Sequence, residues 1–168
     1  MKLSSLSHQY QVHKIQESDI APVYELCKGN SLYYQHCGCT ASIDAVREDM
    51  QALPPGKKSE DKYYIGFYDN NQLLAVMDLI EGYPCEDTVY IGFFMVGQKF
   101  QNCGIGTKII QELLLSCKAK GFLNIKLGYV KGNLQSEHFW LKNHFSKTGK
   151  ETHREKYIAV EMQCTLND

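Results

Sequence analysis

A chain of 168 residues with 43% hydrophobic and 22% charged residues carries enough apolar side chain for one well-packed domain and too few residues for two ordinary ones. Its formal net charge of −1 supplies no overall attraction to nucleic acid or to an anionic membrane, so neither is an expected partner. No apolar run approaches the ~20 residues of a membrane helix and the start of the chain lacks the apolar centre of a signal peptide, so a cytoplasmic location is expected.

Met1 to Gln9 is polar and expected to be flexible. The alternation in Tyr10 to Ile15 predicts a first strand, and Ser18-Asp19 offers capping chemistry for a helix running to Lys28, with Pro22 in its tolerant first turn. Gly29 to Thr40 reads as an aromatic loop. Ser42 to Leu53 reads as a second helix with Ile43, Val46, Met50 and Leu53 on one face, ended by Pro54-Pro55-Gly56. The charged run Lys57 to Lys62 is a solvated connection. Tyr63 to Tyr68 and Gln72 to Leu79, separated by Asp69-Asn70-Asn71, predict an antiparallel hairpin.

After Gly82-Tyr83-Pro84, Val89 to Val96 is apolar at almost every position, the pattern of a central strand covered on both faces. A helix follows from Thr107 to Lys120, with Ile109, Ile110, Leu113, Leu114 and Cys117 at helical spacing and Gly121 as its stop. Asn124 to Val130 is a further strand, Ser136 to Asn143 a short helix, and Phe145 to Glu151 with Tyr157 to Thr165 a closing strand pair. The chain is therefore expected to be one α/β domain over residues 1–168, in the order β-α-α-β-β-β-α-β-α-β-β. Its seven scattered cysteines suit reduced thiols better than a disulfide framework. His36-Cys37-Gly38-Cys39 lacks the second ligand pair that a metal site would need, so no metal is expected.

The segment richest in chemistry is Gln101-Asn102-Cys103-Gly104-Ile105-Gly106-Thr107, set between the central strand and the long helix. Closely spaced glycines permit a tight turn, and the unpaired N–H groups of the following helix start sit at the positive end of its dipole, which suits a phosphate. A dinucleotide loop would need a small residue at Ile109, and a Walker loop beginning at Gly97 would need glycine at Asn102; both spacings fail. What remains is [QR]-x-x-G-x-[GA]. Further on, Asn133 through Phe145 has the form N-x-x-[AS]-x-x-F-[YW]-x-K-x-G-F, except that His144 stands at the glycine position. Together these two motifs resemble the GNAT superfamily of acyl-CoA-dependent N-acyltransferases.

That resemblance implies a mixed sheet with a splayed central strand pair, Val89–Val96 against Ile125–Val130, and acetyl-CoA as acyl donor. It implies cofactor contacts from Phe94, Met95 and Val96 along the strand, from Gln101, Asn102, Cys103, Gly104, Ile105, Gly106 and Thr107 at the pyrophosphate, and from Asn133, Ser136 and Trp140. The Phe94 N–H is the candidate to polarise the thioester carbonyl. Trp140 occupies the position where relatives often carry a tyrosine acid, and indole supplies no proton at a useful pKa.

For the base, the candidates are Tyr90, at the position of a glutamate in some relatives, and Asp78, which interrupts an apolar strand. Tyr33, Tyr34 and His36 near the first helix pair, with Glu81 and Tyr83 beyond the hairpin, are the candidates for the acceptor, and His138 reads as a surface residue. The resemblance implies transfer of an acetyl group to a primary amine by direct attack in a ternary complex, and allows a homodimer. The alternative is a non-catalytic acyl-CoA-binding module, which the residues at Trp140 and Tyr90 keep open.

Overall fold

A computed structural model describes residues 2–166. Its frame is one seven-stranded sheet in the order β1-β2-β3-β4-β5-β7-β6. Here β1 is Gln11–Lys14, β2 Lys62–Asp69, β3 Gln72–Glu81, β4 Thr88–Val96, β5 Asn124–Val130, β6 Ser146–His153 and β7 Ile158–Thr165. The β2–β3 hairpin closes because Asn70 and Asn71 both take positive φ, 46° and 66°, the turn geometry that matches strand twist. All neighbours are antiparallel except β4 and β5, which the long helix between them leaves parallel.

The β4–β5 ladder pairs only Thr88 to Ile91 with Asn124 to Leu127. Beyond Ile91 the two strands part, which is the expected splay. Alternation along the strands feeds two cores. Met77 and Leu79 of β3 face one core with Ile109, Ile110 and Leu113 of α4 (Ile105–Ala119) and Trp140 of α5 (Leu134–Lys142). Val76 faces the other, with Val23 and Leu26 of α1 (Ile20–Lys28), Val46 of α3 (Ile43–Gln51), Tyr64 and Met95. The sheet is therefore covered on both sides, as the near-continuous apolar run of β4 requires.

Four expectations are corrected. The segment read as a loop holds a helix, α2 (Ser31–Cys37), so three helices rather than two precede β2. Gly38 ends it with φ +64°, folding Cys39 back so that Cys37 and Cys39 form a disulfide with Cα atoms 5.5 Å apart. The expectation of reduced thiols fails at that pair. The expected looseness of Met1 to Gln9 gives way to a helical turn at Leu3–Ser5, a fully buried Leu6, and contacts of Ser7 and His8 with Glu112 of α4. Met1 itself lies outside the described residues. In α3, capped by Ser42 accepting from the Ala45 N–H at 3.0 Å, Val46 is buried, but Ile43 at its first position is exposed, as is Leu53, which lies past the helix end.

Candidate active site

The glycine-bearing turn enters α4 through two residues with positive φ, Asn102 at 60° and Gly104 at 81°. Gly104 is the N-cap, and the first intrahelical bond runs from the Lys108 N–H to its carbonyl at 3.0 Å. The N–H groups of Ile105, Gly106 and Thr107 therefore have no acceptor within the helix and project from its positive end. Gly106 is needed for closeness: a Cβ there would lie 3.1 Å from the Phe139 ring and 3.2 Å from Val96. The glycine thus lets the helix start touch both β4 and α5.

Gln101 braces this turn against β4. Its Nε2 donates to the Asn30 Oδ1 at 2.6 Å and to the Val96 carbonyl at 3.0 Å, while the Asn30 Nδ2 donates to the Leu26 carbonyl at 2.9 Å and to the Val96 carbonyl at 3.3 Å. These bonds also fix a direction. The Val96 carbonyl points away from β3, whereas the next N–H, that of Gly97, donates to the β3 carbonyl of Leu74 at 2.8 Å. Backbone groups of an antiparallel strand alternate sides, so the Phe94 N–H points the same way as the Val96 carbonyl, into the gap that β5 has left.

The gap and the turn share one groove of about 520 Å³. It is lined by Phe94, Met95 and Val96 of β4, by Gln101, Asn102, Gly104, Gly106 and Thr107 of the turn, and by Asn133, Ser136 and Trp140 of α5 and its cap. Asn133 does two jobs there, since its Oδ1 caps α5 by accepting the Ser136 N–H at 3.1 Å. Trp140 is buried, its ring 6.0 Å from that of Phe94 and 5.0 Å from those of Phe139 and Phe145. Cys103 and Ile105 are not in the lining. Sequence reasoning missed Asn30, Phe100, Gln135, Phe139 and Lys142 as lining residues; His138, read as a surface residue, is exposed and also lines the groove. Asn30 had no local signal, because its role depends on a partner 71 positions away.

On the sheet face that carries α1 and α3 lies a second group of candidates. A bulge pairs Asp78 with Phe93 and Leu79 with Ile91, leaving Gly92 unpaired and exposed. A Cβ on Gly92 would fall 2.6 Å from the Asp78 Oδ2. The other Asp78 oxygen accepts from the Lys62 Nζ at 2.7 Å. Burial pushes the Asp78 carboxyl up and Lys62 opposes the shift, so this aspartate is a paired carboxylate more than a free base. Tyr90 lies on the same face against the Tyr83 ring, 5.6 Å between centroids, and burial first, then Glu161, raises its pKa above the usual tyrosine value. That direction makes it a poorer base than an ordinary tyrosine at neutral pH.

Tyr33 packs against Tyr34 and Phe93 and lines the groove; burial pushes its pKa up to about 12. Tyr34 is packed beside it, and His36 is half-buried on α2. Glu81 points to the other face, where it accepts from the Lys120 Nζ of α4 at 3.2 Å, and it does not join the remaining acceptor candidates. Tyr83 packs edge-on against the Tyr90 ring. Among the described residues no cluster of His, Cys, Asp and Glu has the make-up of a metal site, and no helix is long and apolar enough to cross a membrane.

A profile of the acetyltransferase (GNAT) family matches residues 25–145. The chain belongs to that family. It is thus an acyl-CoA-dependent N-acyltransferase by class. Solved structures share the GNAT fold at low identity. An acetyltransferase from Thermus thermophilus has a TM-score of 0.74 at 11% identity, covering 94% of this chain and 97% of its own. The ribosomal-protein-S18-alanine N-acetyltransferase of Escherichia coli has a TM-score of 0.66 at 12% identity, covering 95% of each chain. AAC(6')-Ib, solved in complex with ribostamycin and coenzyme A, has a TM-score of 0.71 at 17% identity, covering 94% of this GNAT chain and 93% of its own. A search of curated protein sequences gives no match.

Proposed function

We propose that this GNAT protein transfers the acetyl group of acetyl-CoA to a primary amine by direct attack in a ternary complex. The observation that carries the reading is one groove joining two features: the free N–H groups at the start of α4 and the open side of β4 where β5 has departed. The first suits the pyrophosphate. The second suits an amide-rich pantetheine arm, which takes the backbone hydrogen bonds β5 would have made.

In that pose the Phe94 N–H faces the thioester oxygen and stabilises the charge that develops as nitrogen attacks, a contribution of roughly 3–4 kcal/mol for a well-placed donor. Asn133 and Ser136 lie along the arm, and the aromatic wall of Phe94, Phe139 and Trp140 excludes water from the acetyl end. Trp140 donates no proton, so the departing thiolate takes its proton from the attacking nitrogen or from solvent. A non-catalytic acyl-CoA-binding module gains no support from family membership or from this geometry.

Thermal unfolding with CoA, acetyl-CoA, ATP and NAD tests the reading. At about 100 times its dissociation constant a bound ligand adds about 2.7 kcal/mol of stability. Stabilisation by both CoA species, with little effect of ATP or NAD, is expected; no effect of CoA would overturn the assignment.

A further inference from the structure

Asn30 stands at the N-cap of α2, where an asparagine side chain ordinarily accepts an N–H of the first helical turn, yet it makes no such bond. Its side chain turns instead to the groove, which it lines. There the Oδ1 accepts from the Gln101 Nε2 at 2.6 Å, and the Nδ2 donates to the carbonyls of Leu26 and Val96 at 2.9 and 3.3 Å. The Gln101 Nε2 also donates to the Val96 carbonyl at 3.0 Å, while its Oε1 accepts from the Gln135 Nε2 of α5 at 3.3 Å. A chain of side-chain amides thus joins the start of α2, the turn and the start of α5 across the groove. An N-cap residue that leaves its own helix uncapped gives up local stability, which points to a use outside the helix.

The carbonyl on which this chain converges belongs to the open side of β4. Gly97 bonds to Leu74 of β3, so the alternate residues Val96 and Phe94 direct both their N–H and C=O groups to the side that β5 has left. An extended ligand lying there would meet, from the turn outward, the Val96 carbonyl, the Val96 N–H, the Phe94 carbonyl and the Phe94 N–H. A carbonyl oxygen has two lone pairs, and Asn30 and Gln101 supply a donor to each on Val96. The Phe94 carbonyl is therefore the acceptor left on this stretch of β4, set between two donors.

Resting on the acetyltransferase reading, we infer that Asn30 is a positioning residue for the acyl donor: by holding Gln101 on the Val96 carbonyl, it sets the register in which the pantetheine arm lies along β4. The arm carries amide N–H groups that seek acceptors. With the Val96 carbonyl filled, one of them pairs with the Phe94 carbonyl, and that pairing brings the thioester to the Phe94 N–H. With the Val96 carbonyl open, an arm N–H pairs two residues nearer the turn, and the thioester stops short of Phe94 by about 7 Å, the rise of two strand residues. Asn30 touches no reacting atom and acts through Gln101 and Val96.

The test follows the thioester carbonyl itself. Acetyl-CoA labelled with carbon-13 at that carbonyl is bound at saturation to the full chain, and its C=O stretch is read by difference infrared spectroscopy. In the wild type the band should lie below that of the free thioester, the mark of a hydrogen bond from the Phe94 N–H. Asn30→Ser separates folding from positioning, because a serine hydroxyl caps α2 well but is too short to hold Gln101. It should return part of the band to the free position with less than about a tenfold change in acetyl-CoA affinity. Asn30→Ser combined with Gln101→Met should return all of it. A lowered band kept by both variants, or missing from a wild type that binds acetyl-CoA, would overturn the inference and leave the acetyltransferase reading standing. Loss of all binding by folded variants would overturn it too, since Asn30 would then govern affinity and not register. A wild type that binds no acetyl-CoA refutes the acetyltransferase reading instead. Should unfolding curves show that Asn30→Ser does not fold, Gln101→Met alone carries the test: a partial return of the band supports the register, and an unchanged band refutes it.

Discussion

Asp78 and Asp49 relate to stability in opposite ways. Asp78 pairs with Lys62, whose side chain is only 5% exposed. Asp78→Asn leaves that ammonium buried without a counter-charge, and urea denaturation should show a loss of about 3 kcal/mol. Asp49 has a folded pKa of about 6, above its ordinary value, so between about pH 4 and pH 6 the native state holds more protons than the unfolded chain. Its contribution is therefore present below pH 4 and is lost as pH rises through 6. Asp49→Asn should remove that decline and gain about 1 kcal/mol at pH 7, a figure kept small because the group is solvent-exposed. His144, at the glycine position of the second motif, takes φ +69° and keeps the turn a glycine would make. His144→Gly should accordingly add up to about 1 kcal/mol in the same denaturation assay.

The two glycines at the start of α4 act by different physics and can be separated. Around Gly104 a Cβ would meet nothing within 4 Å, so only its φ of +81° matters. Gly104→Ala should cost about 1 kcal/mol of stability. At Gly106 the obstacle is contact, since Phe139 and Val96 stand 3.1 and 3.2 Å from the added carbon. Gly106→Ala pushes the helix start away from β4, so CoA titration should show roughly a tenfold weaker affinity, on the order of 1.4 kcal/mol, out of proportion to any loss in denaturation. The motif's shape was legible because both constraints are local. The third helix was not: α2 is short, and its Tyr33 and Cys37 gain their burial from tertiary packing rather than from a strong periodic stripe.

Across the molecule, one sheet divides two cores, and successive residues of β3 enter different ones. Val76 and Met77 are both fully buried, on opposite faces. Because both cores hang on the same hydrogen-bonded strands, a single cooperative transition is expected. Met77→Ala should shift it by about 3 kcal/mol and Val76→Ala by about 2 kcal/mol, with far-UV and near-UV signals remaining coincident. Separate transitions for the two variants would show that the faces melt independently.

The sequence by itself determined what is local. Periodicity marked the strands and most helices, the paired asparagines marked the hairpin, and the spacing of Gly104 and Gly106 marked an anion-binding helix start. Together with the second motif, those marks were enough to point to the family. Only the tertiary structure decided matters that depend on which face meets which. It turned Glu81 to the α4 face and tied up Asp78 with Lys62 from a neighbouring strand. It set Asn30 against Gln101. The reason is physical: charge and backbone direction become chemistry only when strand register and helix packing fix the distances between groups far apart in the chain.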